Sequence, residues 1–253
     1  MKPIISVIMS VKNDINNYLE ESINSILNQS FTNFEFIIVL DGSDEHTVNK
    51  INRFKDVDNR IKITNHSNRG LTKSLNTAIN LSNGELIVRQ DFDDISKKDR
   101  LKHLIDYMNV NHDIVIAGSN CYKINTFGKK IGKIKVESNI SKLKIQFMYF
   151  NPIIHPTVIF RKSILKEFGF YNEIYKVSQD YELWYKVSSK YKIGNVNRYL
   201  VNLRIHKRSV SSQNNYLQRK YSFLIMLKNK FVKLEKQIDN NLSLDLLEYL
   251  KLF

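Results

Sequence analysis

The sequence predicts an α/β fold, a mainly parallel sheet flanked by helices with a basic helical segment at its end. Three observations carry that expectation. Strand-like and helix-like segments alternate through the first hundred residues. The strand-like runs are continuously apolar, as expected of strands covered on both faces. Length and composition agree, since 253 residues can bury a sizeable core, and 42% hydrophobic with 25% charged content is ordinary for a globular chain. Eight Gly and three Pro are too few for a disordered or fibrous protein.

The elements follow in order. "IISVIMSV" is a β-branched apolar run and reads as the first strand. "DINNYLEESINSILNQS" sets Leu19, Ile23 and Ile26 at helical spacing, with Asp14 as the expected N-cap. "FEFIIVLDGSD" is a second buried strand ending in a turn, "EHTVNKINRF" a helix and "IKITNH" a short strand. "LTKSLNTAINLSNG" repeats Leu71, Leu75 and Ala78 on one face, with Gly84 as its expected stop signal. "GELIVRQD" is the next strand, and "RLKHLIDYM" a helix. "DIVIAGSNCYKI" reads as a strand, "FGKKIGKIKV" as a β-ribbon, and the loop "NPIIHPT" leads into the strand "VIFR". "SQDYELWYKVSSKY" is helical. From Asn214 the chain reads as helix, with Leu217, Tyr221, Leu224, Leu227 and Phe231 in one stripe. Arg219, Lys220, Lys228, Lys230 and Lys233 flank it.

In open sheets of this kind, ligands bind beyond the carboxyl ends of the strands. Asp41, after "FIIVL", and Asp91, Asp93 and Asp94, after "LIVRQ", all fall on that edge. The D-x-D of "QDFDD" offers two carboxylates from a tight turn, the donor type that a hard divalent cation takes. Such a cation relieves the repulsion among neighbouring acids. Asp94 and Asp99 could instead cap the following turn and helix. Asp41-Gly42-Ser43 forms a tight turn, or accepts from the N–H of a nucleotide base. "NRGLTK" opens a helix whose N-terminus favours anions, so Arg69 and Lys73 face a phosphate or solvent. Asp180 reads as an N-cap or as a general base. His206, beside Lys207 and Arg208, reads as a ligand to metal or phosphate, or as a structural hydrogen-bonder.

The formal charge of +14 and the pI near 9.6 point to anionic partners. From Lys190 to Lys236 there are twelve Lys or Arg against the single acid Glu235. One cysteine, Cys121, excludes an intramolecular disulfide and reads as a small core residue in a reducing compartment. The apolar run Ile4 to Val11 is too short for a signal segment or a bilayer span. The expected location is cytoplasmic, peripheral at the inner face of the cell membrane.

The ordered set "SVIMSVKN", "ILNQSFTNFEFIIVLDGSDEHT", "NRGLTKSLNTAI", "GELIVRQDFDD", "HPTVIFRKSIL", "SQDYELWYK" and "RIHKRSVSS" resembles the family 2 glycosyltransferases of the GT-A fold. Within them it looks like the bacterial enzymes that assemble O-antigen or capsule. The resemblance implies an inverting transferase that moves a sugar from a nucleotide-sugar donor, UDP-linked by expectation, to a glycan or lipid-diphosphate-linked acceptor. It implies Mn²⁺ or Mg²⁺ as cofactor. It assigns Val11, Asn13, Asp41, Arg69, Lys73 and Asp91 to the nucleotide, and Asp93 and His206 to the metal. Asp180 becomes the catalytic base, with Asp94, His155, Gln179 and Trp184 binding the acceptor or supporting the site. Two positions depart from the family pattern. Leu40 replaces the first acid of D-D-G-S and alters base contacts, and Gln179 replaces the Glu that precedes the base. Residues 1–212 then form the catalytic domain, 1–100 its donor half and 101–212 its acceptor half, with 213–253 a C-terminal helical extension. That helix would lie on an anionic membrane or pack on the domain.

Other readings fit less well. A phosphatase nucleophile would follow the first strand, which ends without an acid, and no G-x-G-x-x-G marks a dehydrogenase. No nucleic-acid partner is expected, because the aromatics lie within apolar runs instead of interleaving with a basic face. A non-catalytic glycan-binding module or a basic nucleic-acid-binding α/β protein remains the alternative.

Overall fold

The computed structural model describes residues 2–14, 16–209 and 213–235, with side chains of the last helix described through residue 228. Among the described residues nine strands form a single sheet of order β3-β2-β1-β4-β8-β6-β9-β5, with β7 pairing on β6. The strands are β1 (Ile5–Val11), β2 (Phe34–Asp41), β3 (Ile61–His66), β4 (Leu86–Arg89), β5 (Ile95–Ser96), β6 (Ile114–Ile124), β7 (Lys130–Ile134), β8 (Ile159–Arg161) and β9 (Lys192–Arg204). The helices are α1 (Tyr18–Leu27), α2 (Glu45–Val57), α3 (Leu71–Leu81), α4 (Arg100–Val110), α5 (Ile140–Gln146), α6 (Leu165–Phe168), α7 (Gln179–Ser188) and α8 (Asn215–Glu235).

The expected parallel sheet is found from β3 to β4, where all neighbours run parallel. Beyond β4 the sheet is mixed. β8 returns antiparallel to both β4 and β6, whereas β6 and β9 are parallel. All eight residues of β2 and all but one of β1 are buried, which is why their sequences read as unbroken apolar runs. Two apolar clusters result, one on each side of the sheet. One gathers Leu19 and Ile23 of α1 with Leu101 and Leu104 of α4; the other gathers Leu75 and Ile79 of α3 with Trp184 of α7. Each fully buried aliphatic or aromatic side chain contributes about 1.5–3 kcal/mol relative to exposure.

Several sequence expectations need correction. Helix α1 starts at Tyr18, later than its pattern suggested, because Asn16 and Asn17 take left-handed φ of 60° and 59°. Asp14 is therefore not the N-cap residue, yet its Oδ1 still accepts the Leu19 N–H at 3.1 Å. Helix α3 ends before Gly84. That glycine is needed for close packing, since a Cβ there would meet Ser6 N at 2.6 Å. Among the described side chains of α8 the buried residue is Ile225, outside the expected stripe, while Leu217, Tyr221, Leu224 and Leu227 are half-buried. The helix docks with its Ser222–Ile225 face. Ser178 Oγ, just before α7, donates to the Gln218 carbonyl and lies 3.2 Å from Ser222 Oγ. Tyr221 meets Tyr175 edge-on. The predicted stripe residue Phe231 and its flanks Lys230 and Lys233 lie outside the described side chains, as residues 236–253 lie outside the description.

Candidate active site

Strand β4 stops at Arg89, and the chain then turns through Gln90 to Asp94. The buried Gln90 makes this turn rigid. Its amide donates to Ser22 Oγ and to the carbonyls of Asp91 and Asp94, and its Oε1 accepts from Ser96 and Arg100. The result is three carboxylates on one short turn. Asp91, Asp93 and Asp94 each offer an oxygen, all within 4.8 Å of one another.

Each acid has a distinct environment. Asp91 Oδ1 is 2.5 Å from the guanidinium of Arg89. Burial pushes its pKa up to about 6 against the pull of Arg89, with the charge of Asp93 adding to the rise. Asp93 Oδ2 shares a 2.7 Å hydrogen bond with His206 Nε2, so the predicted pair of metal ligands does meet. Asp94 is 1% exposed, and its Oδ1 accepts the Arg204 N–H of β9. Burial, with Asp93 and Asp91 beside it, raises its pKa well above the usual carboxylate value, and its Oδ2 has no hydrogen-bond partner among the described residues. Asp94 thus caps nothing. Neither does Asp99, at the start of α4 without a side-chain cap bond.

Sequence reasoning missed the positive charges already inside the fold. Arg89 and Arg100 are 4% and 0% exposed. Arg100 spans the turn, donating to Gln90 and Ser96 and to the carbonyls of Arg89 and Pro156. Burial lowers its pKa to about 10, which leaves it charged at neutral pH. Arg204 donates from Nε to the Asp93 carbonyl and pairs with Glu21 at 2.5 Å. The available signal was Arg89 itself, one charged residue inside an otherwise apolar strand directly before the acids.

Asp180 lies in the first turn of α7, and Ser178 is the N-cap residue, so the capping reading of Asp180 fails. Its Oδ2 accepts from Asn151 Nδ2 at 2.7 Å and lies 3.8 Å from His155 Nδ1. Burial raises its pKa, with Arg89 opposing. Asp91 and Asp180 are near enough that the charge of Asp180 raises the pKa of Asp91. His155 bonds Tyr171 Oη at 3.0 Å and packs edge-on against Trp184. Burial, with Arg89 nearby, holds it well below the usual imidazole pKa, hence neutral. Trp184 is fully buried against the His155 ring, and Gln179 is 3% exposed.

On the same sheet edge, Asp41 accepts the Arg69 N–H at 2.7 Å and the Gly70 N–H at 3.0 Å. Its carboxylate thereby ties β2 to the turn that opens α3. Val11 is buried and meets Ser43 through its carbonyl, while Asn13 Oδ1 accepts the Asp44 N–H. Arg69 is exposed, and Lys73 lies 4.0 Å from Glu173.

The sequence model for glycosyl transferase family 2 matches residues 6–169. The O-antigen biosynthesis glycosyltransferase WbnJ of Escherichia coli is 34% identical over 210 residues, covering 81% of this chain and 81% of that protein. Among solved structures, S. aureus TarS in complex with UDP superposes with a TM-score of 0.66 at 19% identity, covering 88% of this chain and 64% of that one. The mannosyltransferase PcManGT from Pyrobaculum calidifontis, in complex with GDP-Man and Mn²⁺, gives 0.66 at 16% identity, covering 91% and 65%. This chain spans just under two thirds of both solved chains, and at those identities the likeness is one of fold.

Proposed function

Because the chain belongs to glycosyl transferase family 2 and has the GT-A fold, we propose that it is a metal-dependent inverting enzyme. It moves a sugar from a UDP-hexose or UDP-N-acetylhexosamine to a hydroxyl of a glycan or lipid-diphosphate-linked acceptor in bacterial polysaccharide synthesis. The observation that carries this reading is the acidic turn at the carboxyl edge of the sheet, three carboxylates within 4.8 Å and a fourth, Asp180, in electrostatic reach. The UDP and the GDP-Man with Mn²⁺ held by the solved relatives support the donor and the cofactor, and the O-antigen role of WbnJ supports the pathway class.

The residues fit a hard cation. Their ligand atoms are carboxylate oxygens, and the buried, unpartnered Asp94 Oδ2 suits a site whose balancing charge is a bound ion. Asp91, Asp93 and Asp94, with His206 beside Asp93, would hold Mn²⁺ or Mg²⁺. Bound there, the ion supplies Lewis-acid stabilisation to the departing diphosphate. Arg69 and Lys73 attend the nucleotide from the start of α3, and Asp41 fixes the backbone that presents them. Asp180 takes the proton of the acceptor hydroxyl as that oxygen attacks the anomeric carbon in line. Burial makes it a stronger base than a free Asp, and Asn151 fixes its orientation. A single displacement inverts the anomeric centre, so an α-linked donor yields a β-linkage without a covalent intermediate.

In this reading residues 1–100 serve the donor and 101–212 the acceptor, and the enzyme works peripherally at the cytoplasmic face of the membrane. Among the described residues, no helix is long and apolar enough to cross one. The test is release of nucleoside diphosphate from a panel of UDP- and dTDP-sugars with Mn²⁺, with and without chelator. Metal-dependent release from one donor, reduced at least about 100-fold in Asp93→Ala, is the expected result. Absence of both turnover and donor binding across the panel would overturn the assignment and leave a non-catalytic or nucleic-acid-binding role.

A further inference from the structure

We propose that the β6–β7 hairpin is a docking surface for an anionic lipid bilayer. Its sequence is unusual in this chain. From Ile114 to Val136 there are five lysines, at 123, 129, 130, 133 and 135, and no acid. Between the strands, the turn carries Phe127 at 92% exposure, and Ile131 on β7 is 56% exposed. Residues 130–133 of β7 are all exposed, and among the described residues the strand pairs on one side only, with β6.

Lysines on an edge strand have an ordinary purpose, which is to block pairing with a second chain. That purpose does not call for a Phe and an Ile held out in water among them. A bilayer surface does, since apolar tips enter the acyl boundary while lysines meet anionic headgroups. The aromatics behind the tip complete the pattern. Tyr122 stacks on Tyr199 at 4.6 Å, with Lys130 Nζ 4.1 Å and Lys97 Nζ 5.7 Å from the Tyr122 ring centroid. Tyr and Lys together favour the headgroup level.

The tip is built to keep its shape. Asn125 Oδ1 accepts the N–H groups of Phe127 and Lys129, and Gly128 takes a φ of +77° that closes the turn. It is also joined to the acidic turn. Arg204 donates through Nη1 to the carbonyls of Asn125 and Thr126, and through Nε to that of Asp93. A bilayer met by the hairpin therefore lies beside the candidate active site, where an acceptor carried on a lipid would be presented. That last link rests on the functional reading above; the docking itself does not.

The test is flotation of the full chain with vesicles of phosphatidylcholine alone or mixed with phosphatidylglycerol. Wild type is expected to float with the anionic vesicles only, and less so in high salt. Phe127→Ser and the pair Lys129→Glu with Lys130→Glu should each weaken partitioning roughly tenfold. They should keep their circular dichroism and their hydrolysis of soluble nucleotide-sugar. The pair Arg219→Glu with Lys220→Glu in α8 should float like wild type. Flotation unchanged in both hairpin variants, or lost only in the α8 variant, would overturn the proposal. So would efficient displacement of wild type from vesicles by a short DNA duplex, which would assign the surface to nucleic acid. Wild type that floats with anionic vesicles but hydrolyses none of the nucleotide-sugars would count against the enzymatic reading and leave the docking surface standing.

Discussion

Two groups of carboxylate sit at opposite ends of the same parallel strands, and they are built on opposite principles. Glu35, at the start of β2, is 4% exposed and fully partnered. It accepts from Ser6 Oγ, Lys62 Nζ and both the backbone and side-chain N–H of Asn83. Burial alone would raise its pKa, but these donors outweigh it and hold the pKa at about 2. At the other end, Asp91, Asp93 and Asp94 crowd one turn, and the pKa values of Asp91 and Asp94 are raised. Glu35 closes the sheet with every lone pair committed, whereas the turn leaves a buried oxygen uncommitted. The difference teaches where to look for function: a buried charge with every lone pair committed is structural, whereas an uncommitted buried oxygen crowded by two further acids marks a candidate ion site.

The contrast can be broken experimentally. The largest effect expected is from Asp180→Asn, which should lower transfer about 10²–10⁴-fold with donor affinity retained, read as kcat against donor Kd. Next is pH. Metal binding requires ionised carboxylates, so metal affinity measured by calorimetry should fall about tenfold per unit as pH drops below about 6, where Asp91 takes up its proton. Stability should respond in the opposite sense at the two ends. Glu35 has a folded pKa below its unfolded value, so its contribution is full above about 4.5 and is lost as pH falls toward about 2. Asp91 has a raised folded pKa, so without metal its ionisation costs stability as pH rises from about 4 to 6. Glu35→Gln should therefore cost on the order of 2–3 kcal/mol at neutral pH by chemical denaturation, roughly half as much near pH 3 and little at about pH 2. The smallest effect belongs to Asp94→Asn. It keeps the acceptor for the Arg204 N–H and removes a charge that burial already disfavours, so the metal-free Tm should move by no more than about 2 °C.

The strands at the centre of the sheet were legible because both faces of β1 and β2 are covered, and their sequences state as much. The acidic motif was legible by its position at a strand end. The mixed half of the sheet was not, since β8 pairs with β4 across some seventy residues and no local signal encodes that return. The direction of α8 was misread because its docking depends on Ser222 and Ile225, chosen by the partner surface and not by the strongest apolar stripe. The buried arginines escaped for a related reason. Arg100 opens a helix in which a basic residue looks like solvent-facing decoration, and only the fold reveals its four partners.

Ser178 holds a left-handed φ of 62°, a conformation that costs a non-glycine residue roughly 1–3 kcal/mol. Its hydroxyl is tied to Gln218 and Ser222 of α8, while its carbonyl accepts the Glu182 N–H in the opening turn of α7 that carries Asp180. The bend that aims Asp180 is thus steadied by a helix about forty residues further along the chain. A force on that helix, from a partner protein or a moving polymer, would be felt at Asp180 as torque.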